Sequence, residues 1–239
     1  MTTEGEVSKR ASRRGLFAAG LLGYLVGGFP TADLVSKVAA RRTGKRSIDL
    51  REVGMKNPGA WNAGKVLGVS WGVTVLVGDL LKGAAACVLG RSVAGDNGAY
   101  MAGTTSVMGH CFPLWKGFRG GKGLATSAGT ALACFPPYAP IDASLAGAAL
   151  LLLRGRGDAA TYVASAAFTL VATYWWLTRK GNLWGPKPTA GLPLYALTSS
   201  AVIALSFLRS PLAKSPLAIE EEAGAERAVE QNEEASVVA

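Results

Sequence analysis

A glycine-rich stretch around one lysine is the part of this chain best suited to hold an anion. Residues 118–123 read Phe-Arg-Gly-Gly-Lys-Gly. Because glycine lets backbone N–H groups approach a ligand closely and lysine adds a compact positive charge, the stretch suits a phosphate group. It is not a P-loop, since the spacing and the final Ser or Thr of that motif are absent. The residues predicted to contact the phosphate are Arg119, Gly120, Gly121, Lys122 and Gly123.

The only histidine of the chain lies just upstream of this stretch. His110 stands in the segment Gly-His-Cys-Phe-Pro, at residues 109–113. An imidazole with an ordinary pKa of about 6.5 suits a general base, so His110 is a candidate catalytic residue beside Lys122. A lone histidine near an apolar surface is more often structural, and that alternative stays open. Lys116 is expected to belong to the basic surface outside the site.

A second polar loop offers another place for an anion. Residues 54–65 read Gly-Met-Lys-Asn-Pro-Gly-Ala-Trp-Asn-Ala-Gly-Lys. Asparagine amides donate hydrogen bonds to anionic oxygens, and glycines expose backbone N–H groups. The candidate binding residues here are Asn57, Gly59, Asn62 and Lys65. The alternative is an ordinary capped turn that leads into a helix.

Asp79 and Lys82 are charged residues inside an otherwise apolar segment. Their i, i+3 spacing puts both side chains on the same side of a helix. Charges within a membrane span usually face the bundle interior and pair with each other. The spacing therefore predicts an ion pair, which is either purely structural or a support behind the active site.

The elements that must position these residues are long apolar segments. Of the 239 residues, 49% are hydrophobic and only 17% are charged, and a membrane helix needs about 20 predominantly apolar residues. Four segments are about that long, at 16–40, 66–90, 159–177 and 190–208. Three shorter ones follow the same composition, at 100–115, 124–135 and 138–153. The sequence predicts an all-α, polytopic integral membrane bundle with about 5–7 transmembrane helices.

The formal net charge of +9 is concentrated in the segments between these helices. Positive-inside topology and attraction to anionic lipid head groups account for most of it. Nucleic-acid binding is excluded as a function, because no basic groove interleaved with aromatic residues is present. The three cysteines lack metal-ligand spacing and one histidine cannot build a usual zinc site, so we expect no metal and buried, unbridged thiols.

The composition divides the chain into three parts. Residues 1–14 form a polar, basic N-terminal segment, residues 15–209 a membrane domain, and residues 210–239 an acidic tail that is expected to be disordered. The basic loops at 41–65 and 116–122 must reach one site, so we expect them on the same, cytoplasmic face.

The order of the motifs resembles the bacterial acyl-phosphate:glycerol-3-phosphate acyltransferase family. That family shows a Gly-Ser-Ile-Pro-type segment (here residues 27–32), then Asp-x-Arg-x-x-Gly-Ser-x-Asn-x-Gly-Ala-x-Asn (here 49–62). Asp-x-x-Lys-Gly follows (here 79–83), and then Gly-His-x-x-Pro and Phe-x-Gly-Gly-Lys-Gly-x-Ala-Thr (here 109–113 and 118–126). Order and spacing agree over roughly residues 24–130, which makes the combined match specific.

The resemblance implies a membrane enzyme of phospholipid synthesis. It would transfer a fatty acyl group from acyl phosphate to glycerol 3-phosphate and form lysophosphatidate, with no cofactor. Implied partners are these two substrates, membrane lipids and other enzymes of phospholipid synthesis, in the bacterial plasma membrane. No protein nucleophile is demanded, because acyl phosphate is already an activated donor.

The chain departs from the family pattern at several positions, which marks it as a divergent member. Met55 replaces the loop serine, Lys65 replaces the arginine after the loop, and the family's C-terminal Arg-His-Arg-x-Asn segment is missing. These replacements support one alternative, a non-catalytic relative that binds lipid or a partner enzyme. A small-molecule transporter is the other, although the internal repeat common in transporters is absent from the sequence.

Overall fold

The computed structural model describes residues 12–152 and 157–209, and within them every regular element is a helix. The α-helices are α1 (Arg13–Gly27), α2 (Thr31–Thr43), α3 (Ala60–Leu67), α4 (Val69–Cys111), α5 (Leu124–Cys134), α6 (Ala139–Leu152), α7 (Gly157–Leu177) and α8 (Gly191–Arg209). Two short 3₁₀ turns lie at Leu114–Lys116 and Pro136–Tyr138. The expected disorder of residues 210–239 and the polar segment before residue 12 lie outside the described residues.

The first apolar segment is two helices, where the sequence predicted one. Helix α1 ends at Gly27, and α2 begins at Thr31 after the segment Gly28-Phe29-Pro30. The proline has no backbone N–H to continue the hydrogen-bond ladder, and its ring clashes with the preceding turn. The N-terminus of α2 therefore lies within the predicted apolar segment, where residues 27–33 line a cleft.

Helix α4 carries both site-bearing apolar segments in one 43-residue element that reverses direction. Ala94 and Gly95 leave the helical conformation, and Gly95 has a positive φ of 64°. The two legs on either side pack closely, because a Cβ at Gly90 would overlap the carbonyl oxygen of Gly98. The segments predicted at 66–90 and 100–115 are therefore the two legs of one hairpin-like helix.

The other helices pack around this hairpin. Small residues of α1 approach the second leg so closely that a Cβ at Gly27 would overlap Ser106, as is usual for helix packing in lipid. Helix α5 lies on the first leg, and α8 lies on the second leg and on α7. Cys87, Cys111 and Cys134 are buried free thiols, as predicted.

Among the residues that the structure describes, three helical stretches are long and apolar enough to cross a membrane: Arg13–Thr43, Val69–Lys116 and Gly191–Arg209. Their outer faces carry large exposed apolar side chains such as Phe17, Leu81 and Leu208. A soluble protein would bury most such residues in its core, whereas lipid solvates them. The prediction of an all-α integral membrane bundle is confirmed.

The two basic loops meet at one end of the bundle. Arg51 Nε donates to the carbonyl oxygen of Arg119 at 2.8 Å, and Arg119 Nη2 lies 2.8 Å from Glu52 Oε1. The loop between α7 and α8 lies at the other end, where Trp184 accepts a hydrogen bond from Arg91 near the reversal of α4.

This arrangement predicts the sidedness of three positions. Single cysteines placed by Ser47→Cys and Arg119→Cys should react with a membrane-impermeant maleimide from the same side of the membrane. Lys180→Cys, in the loop between α7 and α8, should react only from the opposite side. Opposite accessibility of positions 47 and 119 would contradict a shared face.

Candidate active site

A narrow cleft lies where the break between α1 and α2 meets α4 and the basic loops. It brings together His110, Gly120 and Gly121 of the predicted residues. Its wall is completed by residues that the sequence did not assign to a site, among them Thr31, Asp33, Arg51, Pro58, Asp79, Lys82 and Lys116. The cleft therefore has three cationic side chains, two carboxylates and the only imidazole of the chain.

Arg51 organises one side of the cleft. Its Nη1 atom lies 2.6 Å from Asp33 Oδ1 and 3.0 Å from Asp49 Oδ1, and Lys116 Nζ pairs with the other oxygen of Asp33. Although Arg51 is only 8% exposed, and burial alone would lower its pKa, hydrogen bonds and attraction from Asp33 and Asp49 raise that pKa overall. The guanidinium is thus a fixed positive charge at the cleft wall.

Asp79, Lys82 and His110 form the opposite side. Lys82 Nζ lies 2.7 Å from Asp79 Oδ1, which confirms the predicted ion pair, and it also donates to the carbonyl oxygen of Phe29 at 3.3 Å. Asp79 Oδ1 lies 3.7 Å from His110 Nδ1. The pair therefore contacts both the broken first span and the imidazole, so it supports the cleft as well as the bundle.

The two central glycines fit tightly against the histidine. A Cβ at Gly121 would overlap His110 Nε2, and a Cβ at Gly120 would overlap the carbonyl oxygen of His110. Their N–H groups donate to the carbonyl oxygens of Cys111 and His110, both at 3.1 Å. These bonds fold the loop back onto α4 and against the imidazole. Both glycines line the cleft, and phosphate binding by them stays a prediction.

Lys122 points away from the cleft, toward helix α8. Its Nζ atom donates to the carbonyl oxygen of Ser206 at 3.0 Å and lies 4.8 Å from the centre of the Phe207 ring. Burial lowers the pKa of Lys122. Gly123, with a positive φ of 84°, turns the chain into α5 at this point. Neither residue lines the cleft, so phosphate binding by Lys122 stays a prediction.

The loop at residues 54–65 lies beside the cleft and is held by hydrogen bonds of Asn62. The side-chain amide of Asn62 donates to the carbonyl oxygens of Leu50, Val53 and Asn57, each at 3.0 Å, and its oxygen accepts from Met55 N–H at 2.9 Å. With these bonds made and 1% of its surface exposed, Asn62 has no free donor for a substrate. In the structure Asn62 holds the loop that carries Arg51, and substrate binding by Asn62 stays a prediction.

The remaining predicted residues lie at the edge of this region. Asn57 and Gly59 flank Pro58, the only one of the three that lines the cleft. Lys65 is exposed on α3, with its amine 5.7 Å from the centre of the Trp61 ring, and Arg119 is exposed against Glu52. Lys116, which the sequence analysis placed outside the site, lines the cleft.

Asp33, Arg51 and Lys116 are the functional candidates that sequence reasoning missed. Asp33 lies in an apolar segment for which the sequence predicted one continuous helix, so no site role was predicted for it. Arg51 was visible in the family motif but carried no prediction of its own. Within residues 12–152 and 157–209, no group of three or more His, Cys, Asp or Glu side chains is arranged to hold a metal ion.

The fit between Gly121 and His110 yields a prediction. Because His110 is the only histidine, its imidazole gives one resolved NMR signal in histidine-labelled protein. Gly121→Ala should shift that signal and lower Tm by a few degrees, since a methyl group would overlap a buried ring. Gly181→Ala is the matched control, because nothing lies within 4 Å of a Cβ there. An unshifted histidine signal in Gly121→Ala would contradict this packing.

The sequence of this chain is similar to those of several known proteins. The family model for glycerol-3-phosphate acyltransferase matches residues 17–210. The glycerol-3-phosphate acyltransferase of Bacillus subtilis (strain 168) is 41% identical over 121 residues, which span 51% of this chain and 58% of that protein. The corresponding protein of Thermoanaerobacter pseudethanolicus is 33% identical over 156 residues, which span 65% of this chain and 75% of that one.

A solved structure shares the fold. The crystal structure of PlsY (YgiH), an integral membrane glycerol 3-phosphate acyltransferase in its glycerol 3-phosphate form, superposes with a TM-score of 0.60 and 27% sequence identity. The match covers 82% of this chain and 87% of that chain. Taken with the family match over most of the chain, these similarities lead to one conclusion: this protein belongs to the glycerol-3-phosphate acyltransferase family.

Proposed function

We propose that this chain transfers a fatty acyl group from acyl phosphate to glycerol 3-phosphate and so forms lysophosphatidate. The observation that carries the proposal is the cleft itself, in which fixed cations lie within reach of the only histidine, in a chain of this family. The bacterial cell membrane is the proposed location. Membrane lipids surround the chain there, and other enzymes of phospholipid synthesis take up the product.

The acceptor's phosphate fits the side of the cleft formed by Arg51 and Lys116. Arg51, Lys82 and Lys116 outnumber the two carboxylates, Asp33 and Asp79, so the cleft favours an anion. The N-terminus of α2 begins at Thr31 in the same wall and adds the partial positive charge of a helix start. Glycerol 3-phosphate bound there through its phosphate would have its hydroxyl groups near His110.

The proposed step needs only a base and fixed charge. The hydroxyl oxygen of glycerol 3-phosphate attacks the carbonyl carbon of the acyl phosphate. An ester bond forms, the bond between that carbon and the phosphate oxygen breaks, and inorganic phosphate leaves with its electron pair. His110 accepts the hydroxyl proton, and Asp79, 3.7 Å from Nδ1, stabilises the positive charge that the imidazole gains.

The donor fits the region beyond the glycine-rich stretch. A largely apolar cavity with about 850 Å³ of empty space lies between α5, α6, α7 and α8 and is walled by Leu124, Ala131, Phe168 and Ile203. An acyl chain in this cavity would have its phosphate near Lys122, two residues before Leu124. In this proposal the amine of Lys122 exchanges the carbonyl of Ser206 for a phosphate oxygen of the donor.

Met55, which stands where the family has a serine, lies outside the cleft lining. Its backbone N–H serves the Asn62 network. Purified protein given acyl phosphate and glycerol 3-phosphate should release lysophosphatidate and inorganic phosphate in equal amounts. If neither product forms, the chain is a non-catalytic relative.

A lysine that lines the cleft and a lysine outside it should differ in their effect on KM. Lys116→Ala should raise KM for glycerol 3-phosphate roughly tenfold or more, because it removes a charge-assisted contact worth about 1.5–3 kcal/mol. Lys65→Ala is the control that removes the same charge from exposed helix α3 and should change KM less than twofold. Equal effects of the two substitutions would indicate a generally basic surface instead of an acceptor site.

His110 is tested by a substitution that keeps its size and polarity. His110→Gln should lower kcat by about 10²–10⁴-fold with little change in KM, because only the proton transfer is lost. The pH profile of kcat should also lose its acid limb. A loss of less than about fivefold would show instead that a substrate phosphate takes the proton.

Lys122→Ala should affect both catalysis and folding. Removing the amine leaves the Ser206 carbonyl without this donor, so Tm should fall by a few degrees even without substrate. The KM for acyl phosphate should also rise roughly tenfold or more if Lys122 contacts the donor. A change in Tm with an unchanged KM would confine Lys122 to a structural role.

A further inference from the structure

The outer face of helix α2 changes from apolar to cationic along its length. Leu34 is 49% exposed, and Lys37 and Arg41 follow it on the same face of the helix at spacings of three and four residues. Lys45 continues the line just beyond the C-cap Gly44. We call Lys37, Arg41 and Lys45 the basic stripe.

The basic stripe surrounds an open depression on the protein surface. The depression has about 670 Å³ of empty space and is lined by the three cations together with Ala40, Gly44 and Ser47. Nothing lies within 4 Å of a Cβ placed at Gly44, so its floor is unobstructed. Three positive charges and a hydroxyl group thus face one shallow site.

Nearby carboxylates do not neutralise these charges. Asp33 pairs with Arg51 and Lys116, Asp49 pairs with Arg51, and Glu52 pairs with Arg119. In the part of the chain that the structure describes, no ion pair within 4 Å includes a residue of the basic stripe. The field of the stripe is therefore available to an anion from outside the protein.

We propose that the basic stripe binds the headgroup of an anionic phospholipid from the surrounding bilayer. Leu34 lies next to the stripe on its inward side and suits an acyl chain, and the charged groups of the stripe suit the anionic headgroup. A free phosphate ion has no apolar part that could contact Leu34. The order of apolar and cationic side chains along α2 is what favours a lipid.

The basic stripe and the cleft lie toward the two ends of one short helix. Helix α2 has 13 residues and carries Thr31 and Asp33 of the cleft in its first turn. The residues that line the depression are all different from those that line the cleft and the apolar cavity. The lipid site is therefore distinct from the proposed acceptor and donor positions.

The test counts bound lipid and does not depend on acyl transfer. Full-length protein in neutral detergent is titrated with dioleoyl phosphatidylglycerol or dioleoyl phosphatidylcholine, and adducts are measured by native mass spectrometry. The triple variant Lys37→Gln, Arg41→Gln, Lys45→Gln should lose roughly a hundredfold in affinity for phosphatidylglycerol, at about fivefold per charge. Its affinity for phosphatidylcholine should not change.

A matched triple variant removes the same charge from the other end of the bundle. Arg179→Gln, Lys180→Gln, Lys187→Gln should bind phosphatidylglycerol like the unaltered protein. Equal losses in the two triple variants would overturn the proposal, because net charge alone would then explain binding. Displacement of the lipid by an equal concentration of inorganic phosphate would overturn it too, since the site would then take free phosphate.

Single variants keep the test decisive if the first triple variant does not fold. Lys37→Gln and Arg41→Gln should each lower the affinity for phosphatidylglycerol about fivefold. Both residues are exposed, so these substitutions should leave Tm in detergent unchanged. Unchanged lipid affinity in both single variants would refute the basic stripe as a lipid site.

Discussion

Charges inside a membrane bundle must be paired, and this requirement shapes the centre of the protein. An isolated ion in lipid costs several kcal/mol or more, so buried ionisable groups are drawn together. Arg51, only 8% exposed, meets Asp33, and the buried Lys82 meets Asp79. The first pair ties the polar loop to the broken first span, and the second ties that span to α4 through the Phe29 carbonyl. The cleft is the space that remains between these two pairs.

The sequence predicted much of the fold because membrane helices follow from composition. The apolar lengths indicated the helices, the i, i+3 spacing indicated the ion pair of Asp79 with Lys82, and the motif order indicated the family. The sequence did not predict the break after Gly27, because the mean hydropathy of a long segment hides Pro30 and Asp33. A single proline changes the mean hydropathy of a 25-residue segment little, yet it ends a helix.

The site was harder to predict, because position along the chain does not determine side-chain direction. Lys116 and Lys122 are six residues apart on one basic segment, but one lines the cleft and the other contacts α8. The backbone turns at Gly117, between the two lysines, where φ is 59°, and it turns again at Gly123, directly after Lys122. The two side chains therefore point in different directions. The sequence also did not predict that the N–H groups of Gly120 and Gly121 donate to carbonyl oxygens of the protein itself. Glycine permits close approach by any partner, and here the partner is the protein's own histidine.

The reversal in α4 separates the proposed base, His110, from Asp79 by a long path along the helix. Asp79 and His110 lie on different legs, each about 15 residues from the reversal at Ala94 and Gly95, which is about 22 Å along a helix. Changing the angle between the legs by about 3° would alter the distance between the two side chains by about 1 Å. A misplacement of that size can cost about a hundredfold in rate. In the proposed mechanism, residues at the reversal would therefore influence the rate from the far end of the bundle, without contacting a substrate.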